Sequence, residues 1–549
     1  MKRTTGAAAL ALAFAAQAAF AQDKPAAPEV ADHAADTPEA AHEAHEVRLV
    51  AEMTELLPGY GGGGFAITTS VPEAQAFFSN GMELGAAFAH SAAKAAMQEA
   101  VRLDPACAMC KWGQALVTGP TINFGLDADE RAEFYPMVRE AARIAARNGT
   151  AKEKALTAAL VERFRPGDTA ARDHAYVLAM QGVQNRYPED NEIAVLTADA
   201  MLVDAFNGWQ GDADEDSVLA EVRKTLPLLE TVLARAPDHT PAIHFYIHAT
   251  EVVGEPGKAE PFADKLAGLA PHASHLVHMP AHTWYWVGRY EDAALTNRRA
   301  VEIGKANAKR LGMMEHNDAF NLPYHAHNVI YGLGGALMAG DSAVALELAR
   351  PLIEAANKQD EVADAGAVPS ATAQLLMSSG YFAYARFDPA AVAGLAEPDL
   401  PYLKAAWHYA RGEAAAWDGD AAAVRVEAAA IPDHIADDPK SDDVRSAETM
   451  LGVLRGVLEG RVARLEGDLD AAAKAYRTAA EFEESKDFND FTDPPAFWYP
   501  VRRDLAAVLL AQGDAAGAER EAQISLRMRM KDPVAEAILA GARAALGGS

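Results

Sequence analysis

The strongest constraint on this chain is a repeat length. Gly254 and Gly288 stand 34 residues apart, and so do Pro237 and Pro271. Glycine marks where one helix turns into the next, and proline marks where a pair of helices ends. Further turn glycines open similar phrases at Gly340, Gly419, Gly467 and Gly513, and prolines close others at Pro105 and Pro188. A helical hairpin of this length cannot bury its apolar face alone, so neighbouring hairpins have to stack. At 549 residues the chain is long enough for a considerable array.

The phrase GRYEDAALTNRRAVE, Gly288 to Glu302, places Ala293 five residues after the glycine and Ala300 seven beyond that. GDLDAAAKAYRTAA repeats the arrangement from Gly467, with Ala472, Tyr476 and Ala479 in the matching places. These phrases resemble the tetratricopeptide repeat (TPR). The resemblance implies an all-α, TPR-like α-solenoid of stacked antiparallel hairpins, with an inner and an outer helix layer. Alanine is abundant and strand-like alternation almost absent, which agrees with a helical chain.

The first 21 residues run from Met1-Lys2-Arg3 through an apolar stretch to Ala19-Phe20-Ala21. A basic start, a short apolar core and a small-x-small end predict a signal peptide cut after Ala21, hence export to the periplasm or beyond. Residues 22–62 are rich in Ala, Pro and acid, and are expected to be a disordered tether carrying His33, His42 and His45. A TPR-like arm is expected over 63–357 and a second over 358–549, divided where the period breaks near 358–402. No later stretch is apolar enough to span a bilayer. A net charge of −29 opposes binding to nucleic acid, which relies on clustered Lys and Arg.

Chemistry concentrates between Pro237 and Asn328. Of seventeen histidines, ten fall there: His239, His244, His248, His272, His275, His278, His282, His316, His325 and His327. An even scatter would place about three. His244 and His248 stand four apart and share a helix face, and His278 and His282 repeat that pair 34 residues later. Glu251 extends the first face by one turn, and His275 extends the second. Counting back thirteen from Gly288 and Gly340 gives His275 and His327, so a third repeat is expected to contribute. Two histidines and a carboxylate on one face are a common ligand set for zinc or non-haem iron, and nitrogen and oxygen donors also suit copper(II). Pro280 lies inside the second pair and should kink its helix.

Cys107 and Cys110 are the only cysteines. Asp104 and Pro105 are expected to cap and open the helix that carries them, placing the sulfurs near a helix N-terminus. That position suits a local disulfide, or soft-metal binding with Met109 nearby. Phe245, Tyr246, Trp284, Tyr285 and Trp286 flank the histidines at spacings that suit hairpin packing.

Several phrases together resemble a group of secreted bacterial TPR proteins. They are AFAHSAAKAAMQEAVRLDPACAMCKWGQAL, GPTIN, HFYIHATE, HLVHMPAH, HAHN and DPPAFWYPVR. In that group asparagine usually precedes the histidine of the first phrase, where this chain has Ala89 before His90. In TPRs the first helix of each repeat lines the concave groove, so the resemblance implies that the histidine pairs face inward there. The reading is an exported TPR protein holding zinc, iron or copper in its groove, with Glu251 a ligand or proton-transfer group if the metal is catalytic, as an oxidoreductase or hydrolase. Two alternatives stand beside it: an adaptor binding a peptide or envelope protein, and a periplasmic copper-handling protein using Cys107, Met109 and Cys110.

Overall fold

The computed structural model describes residues 55–547 except 127, 211–213, 311–321, 323, 358–369, 437–440 and 490–492. The signal segment, most of the tether with its three histidines, His316 and the stretch 358–369 lie outside the described residues. Among the described residues every regular element is helical. The chain is all-α, built from TPR-like antiparallel hairpins in which each helix packs mainly on its neighbours in sequence.

The turn glycines explain how the hairpins are cut. Gly254, Gly288, Gly340, Gly419, Gly467 and Gly513 all have positive φ, between 75° and 86°. This left-handed conformation ends a helix and costs a residue with a Cβ more than it costs glycine. After four of these glycines comes an aspartate that starts the next helix. Asp341, Asp420, Asp468 and Asp514 each accept a hydrogen bond from a backbone N–H three residues on. A Gly-Asp step thus stops one helix and caps the next. The repeated small and aromatic positions close the seams: Ala293, Ala300, Ala472, Tyr476 and Ala479 are all fully buried.

The contacts divide the chain into two compact units. One holds the described residues up to Thr283 together with 302–310; the other holds Trp284–Val301 and the described residues after 321. In the first unit Pro72–Ala86, His90–Leu103, Ala108–Thr118, Ala128–Asn148, Ala151–Phe164, Thr169–Arg186 and Asn191–Gln210 stack in sequence. The Thr240–Val252 helix then packs on Asn191–Gln210, Leu226–Arg235, Glu260–Leu269 and Pro72–Ala86. In the second unit the same stacking runs from His325–Ala339 to Pro533–Gly547. There the DPPAFWYPVR segment is tied in, with Asp493 accepting from the Tyr331 hydroxyl and the Val501 N–H donating to Glu483.

The last residues assigned to the tether are held in place. Leu57 N–H donates to Asn80, Gly62 N–H donates to the Thr240 hydroxyl at 2.7 Å, and the Pro58 carbonyl accepts from His272. The glycines permit this approach: a Cβ at Gly61 would lie 2.5 Å from Thr240 Oγ1, and one at Gly59 2.5 Å from His272 Nδ1. The glycine run clasps the start of the histidine-bearing helix.

Candidate metal centre

The Thr240–Val252 helix is buried along its whole length, so His244 and His248 lie in the interior. His244, His248, His278 and His282 are all 0% exposed. The rings are covered, where the resemblance implied the inward face of a concave groove. The cause is local: Pro72–Ala86 packs against the histidine helix, and Phe88, just past its end, covers the rings. The Phe88 ring lies 4.9 Å from His275 in a stacked arrangement and 4.5 Å from His244 edge-on. Its φ is +55°, a conformation rare for a bulky residue and one that the surrounding packing has to hold.

His244, His248 and His275 converge. His244 Nε2 lies 3.1 Å from His248 Nε2 and 3.0 Å from His275 Nε2, and ligand atoms of the three all fall within 4.8 Å of one another. The far nitrogen of His244 fixes its tautomer. Its Nδ1 is 2.8 Å from the Ala86 carbonyl oxygen, which can only accept, so Nδ1 carries the hydrogen and Nε2 presents its lone pair. That single in-plane lone pair can accept one hydrogen bond, yet two ring nitrogens crowd it. Donor nitrogens about 3.3 Å apart are what a zinc ion bound at about 2.0 Å to tetrahedral ligands requires. A backbone carbonyl behind a ligating histidine is also the usual support for such a ring.

A second pair continues the row. Pro280 divides the expected helix into Ser274–His278 and Pro280–Trp286. It does not separate the side chains, because His278 Nε2 and His282 Nε2 still meet at 2.8 Å. Behind His282, Nδ1 donates to Glu251 Oε2 at 2.8 Å. Glu251 thus orients a histidine within this unit, the carboxylate–histidine arrangement that fixes a ligand's tautomer and raises its basicity. The rings of His248 and His282 are 5.7 Å apart, and those of His275 and His278 5.8 Å, so five histidines of one unit form a continuous patch.

Burial keeps His244 and His275 neutral. It pulls His244 down to about 3 and His275 well below the usual histidine range, with the neighbouring histidines adding repulsion. Neutral imidazole is the ligand form.

His327 belongs to the second unit, buried near the start of His325–Ala339 with its ring 5.4 Å from that of Tyr331. His239 caps its helix, accepting from the Ala242 N–H, and its Nε2 pairs with Glu192 at 2.9 Å. Cys107 and Cys110 are buried and joined as a disulfide, so in this state they offer no thiolate. The expected cap is corrected: Cys107 is the N-cap of Ala108–Thr118, its sulfur accepting from the Cys110 N–H. Asp104 instead closes the preceding helix and bonds Thr69 and the Ala106 N–H. Phe88 and the Ala86 carbonyl went unread in the sequence, since a residue 158 positions away gives no periodic signal to the His244 helix.

No family model matches the chain, and no curated protein matches it. Among solved structures, the APC/C hetero-tetramer Cut9–Hcn1 is 13% identical, covering 87% of this chain and 78% of that one at a TM-score of 0.30. The human IFIT1 dimer with m7Gppp-AAAA is 12% identical, covering 80% and 94%, at 0.32. The TPR domain of P58(IPK) is 12% identical, covering 86% and 98%, at 0.23.

Proposed function

We propose that this is an exported TPR-like protein that binds a transition metal through His244, His248 and His275, with His278 and His282 as a second donor pair oriented by Glu251. The observation that carries the reading is the meeting of three Nε2 atoms around the lone pair of His244, whose other nitrogen is held by Ala86. An all-imidazole set suits zinc, iron or copper(II), and five donors exceed what one tetrahedral ion needs. The bound ion would supply Lewis-acid or redox chemistry. The protein's own part is to keep His244 and His275 neutral, to fix the tautomers of His244 and His282 through Ala86 and Glu251, and to shield the patch with Phe88. Export rests on the basic, apolar and Ala-Phe-Ala sequence at the N-terminus.

The test is metal content by inductively coupled plasma mass spectrometry on untagged protein purified from the periplasm. A His244/His248/His275→Ala variant that keeps its circular dichroism spectrum serves as control. Near-stoichiometric metal in the parent and none in the variant is the expected result, and the element found selects the reactions to assay. No metal in either, even after incubation with zinc, iron(II) and copper(II), would overturn the reading and leave the adaptor alternative in its place.

A further inference from the structure

Behind the aromatic layer that covers the triad lies a cavity of about 680 Å³ measured out to its mouth. It sits wholly in the first unit. Phe88 and Phe245 form the wall shared with the histidines: Phe88 stacks on His275, and Phe245 stacks on His244 with ring centres 5.0 Å apart. The rest is mostly apolar, with a few polar groups among them, including His90, Arg163, Glu192 and Asp199.

One face of Asn191–Gln210 brings the acids in. Glu192, Val195, Leu196 and Asp199 fall at i, i+3, i+4 and i+7, and all four line the cavity. Two of the charged groups already have hydrogen-bond partners. Glu192 is held by His239, and Arg163 is held by Asp173 at 3.3 Å and donates to the Pro120 carbonyl. Asp173 also takes a bidentate pair of hydrogen bonds from Arg131. Asp199 is different. Among the described residues no hydrogen bond holds its carboxyl group, which faces the cavity. Burial lifts it to about 6, against the pull of Arg163. A carboxyl group in that position gains most from a ligand that brings both a donor and a positive charge.

We propose that this cavity binds a compact apolar molecule carrying a primary amine, with its ammonium group on Asp199 and its apolar body against Phe88 and Phe245. His90 supports the assignment: burial holds it at about 3, so it is neutral and does not repel a cation. The net charge of −29 gives the molecule a long-range preference for cations. The proposal stands apart from metal binding, although an occupant would lie one aromatic layer from the triad.

Isothermal titration calorimetry of the full chain with 2-phenylethylamine, 2-phenylethanol and 3-phenylpropionate tests it, once after chelation with EDTA and once after reloading with zinc. The amine should bind at one site in both preparations, at least tenfold tighter than the alcohol or the acid. Asp199→Asn, which keeps the shape of the side chain, should remove that preference. Comparing the three probes on the parent protein needs no variant to fold. The assignment is overturned by equal binding of amine and alcohol, by tighter binding of the acid through Arg163, by no binding of the amine, or by an Asp199→Asn protein that still prefers the amine. Failure of the metal reading alone would leave the amine bound in the EDTA-treated protein.

Discussion

His244 is held by two constraints that pull on opposite ring nitrogens. The Ala86 carbonyl fixes the hydrogen on Nδ1, and the neighbouring rings crowd Nε2. Removing the charge from a buried ring has a thermodynamic consequence. In the unfolded chain His244 titrates near 6.5, and in the folded chain near 3, so between those values the unfolded state binds more protons. Its contribution is complete above about pH 6.5 and is lost progressively as pH falls toward 3, at up to about 1.4 kcal/mol per pH unit. Asp199 and Glu483 act the other way, since burial raises them to about 6 and about 8. Only a comparison isolates the histidine. Denaturant unfolding of metal-free protein at pH 7 and pH 4.5 should show a smaller acid loss in His244→Asn than in the parent. A second expectation concerns Glu251, which touches His282 Nδ1 and stands behind the donor pair. Glu251→Gln should weaken metal binding 10- to 100-fold in competition with a chelating dye, with the fold intact. Both i, i+4 pairs were legible in the sequence because helical spacing is local. The role of Ala86 and the cover of Phe88 were not, because each joins residues brought together only by tertiary packing.

At the scale of the helical hairpin, the left-handed turn glycines mark the period, and two of them separate its energetic parts. A Cβ at Gly467 would meet nothing within 4 Å, so substitution there tests the backbone conformation alone. A Cβ at Gly288 would lie 2.5 Å from the Met530 carbonyl oxygen and 2.9 Å from Lys531 Cβ. Gly467→Ala should therefore cost about 1–2 kcal/mol, the price of a left-handed residue with a side chain. Gly288→Ala should cost more, because backbone has to move as well, and thermal unfolding of the two variants side by side gives the comparison. Equal losses would show that Met530 and Lys531 yield freely. The repeat was readable because each hairpin needs the same stop and start signals. Pro280 shows the limit: it divides the helix as proline must, yet His278 and His282 still meet. Cys107 shows another. Aspartate is the stronger cap by composition, but Asp104 is taken by the end of the preceding helix, and the sulfur fills the place instead.

For the whole molecule, the charge of −29 and the complete burial of the histidine patch make opposite demands on a cation in solution. The field concentrates cations at the surface and speeds their arrival, and salt removes that advantage as the screening length falls from about 30 Å at 0.01 M to about 3 Å at 1 M. Burial has the other effect: Phe88 and the Pro72–Ala86 helix cover His244, His248 and His275, so an ion bound as proposed meets that cover on its way in. The rate of metal uptake reports which step dominates. Stopped-flow mixing of metal-free protein with zinc should show second-order association that falls on the order of tenfold between 10 mM and 500 mM NaCl. Dissociation into excess chelator should change less than twofold, because a buried ion is little affected by bulk screening. If uptake is instead independent of both zinc concentration and salt, opening of the cover sets the rate, and Phe88→Ala should then accelerate it while the affinity set by the histidines changes little.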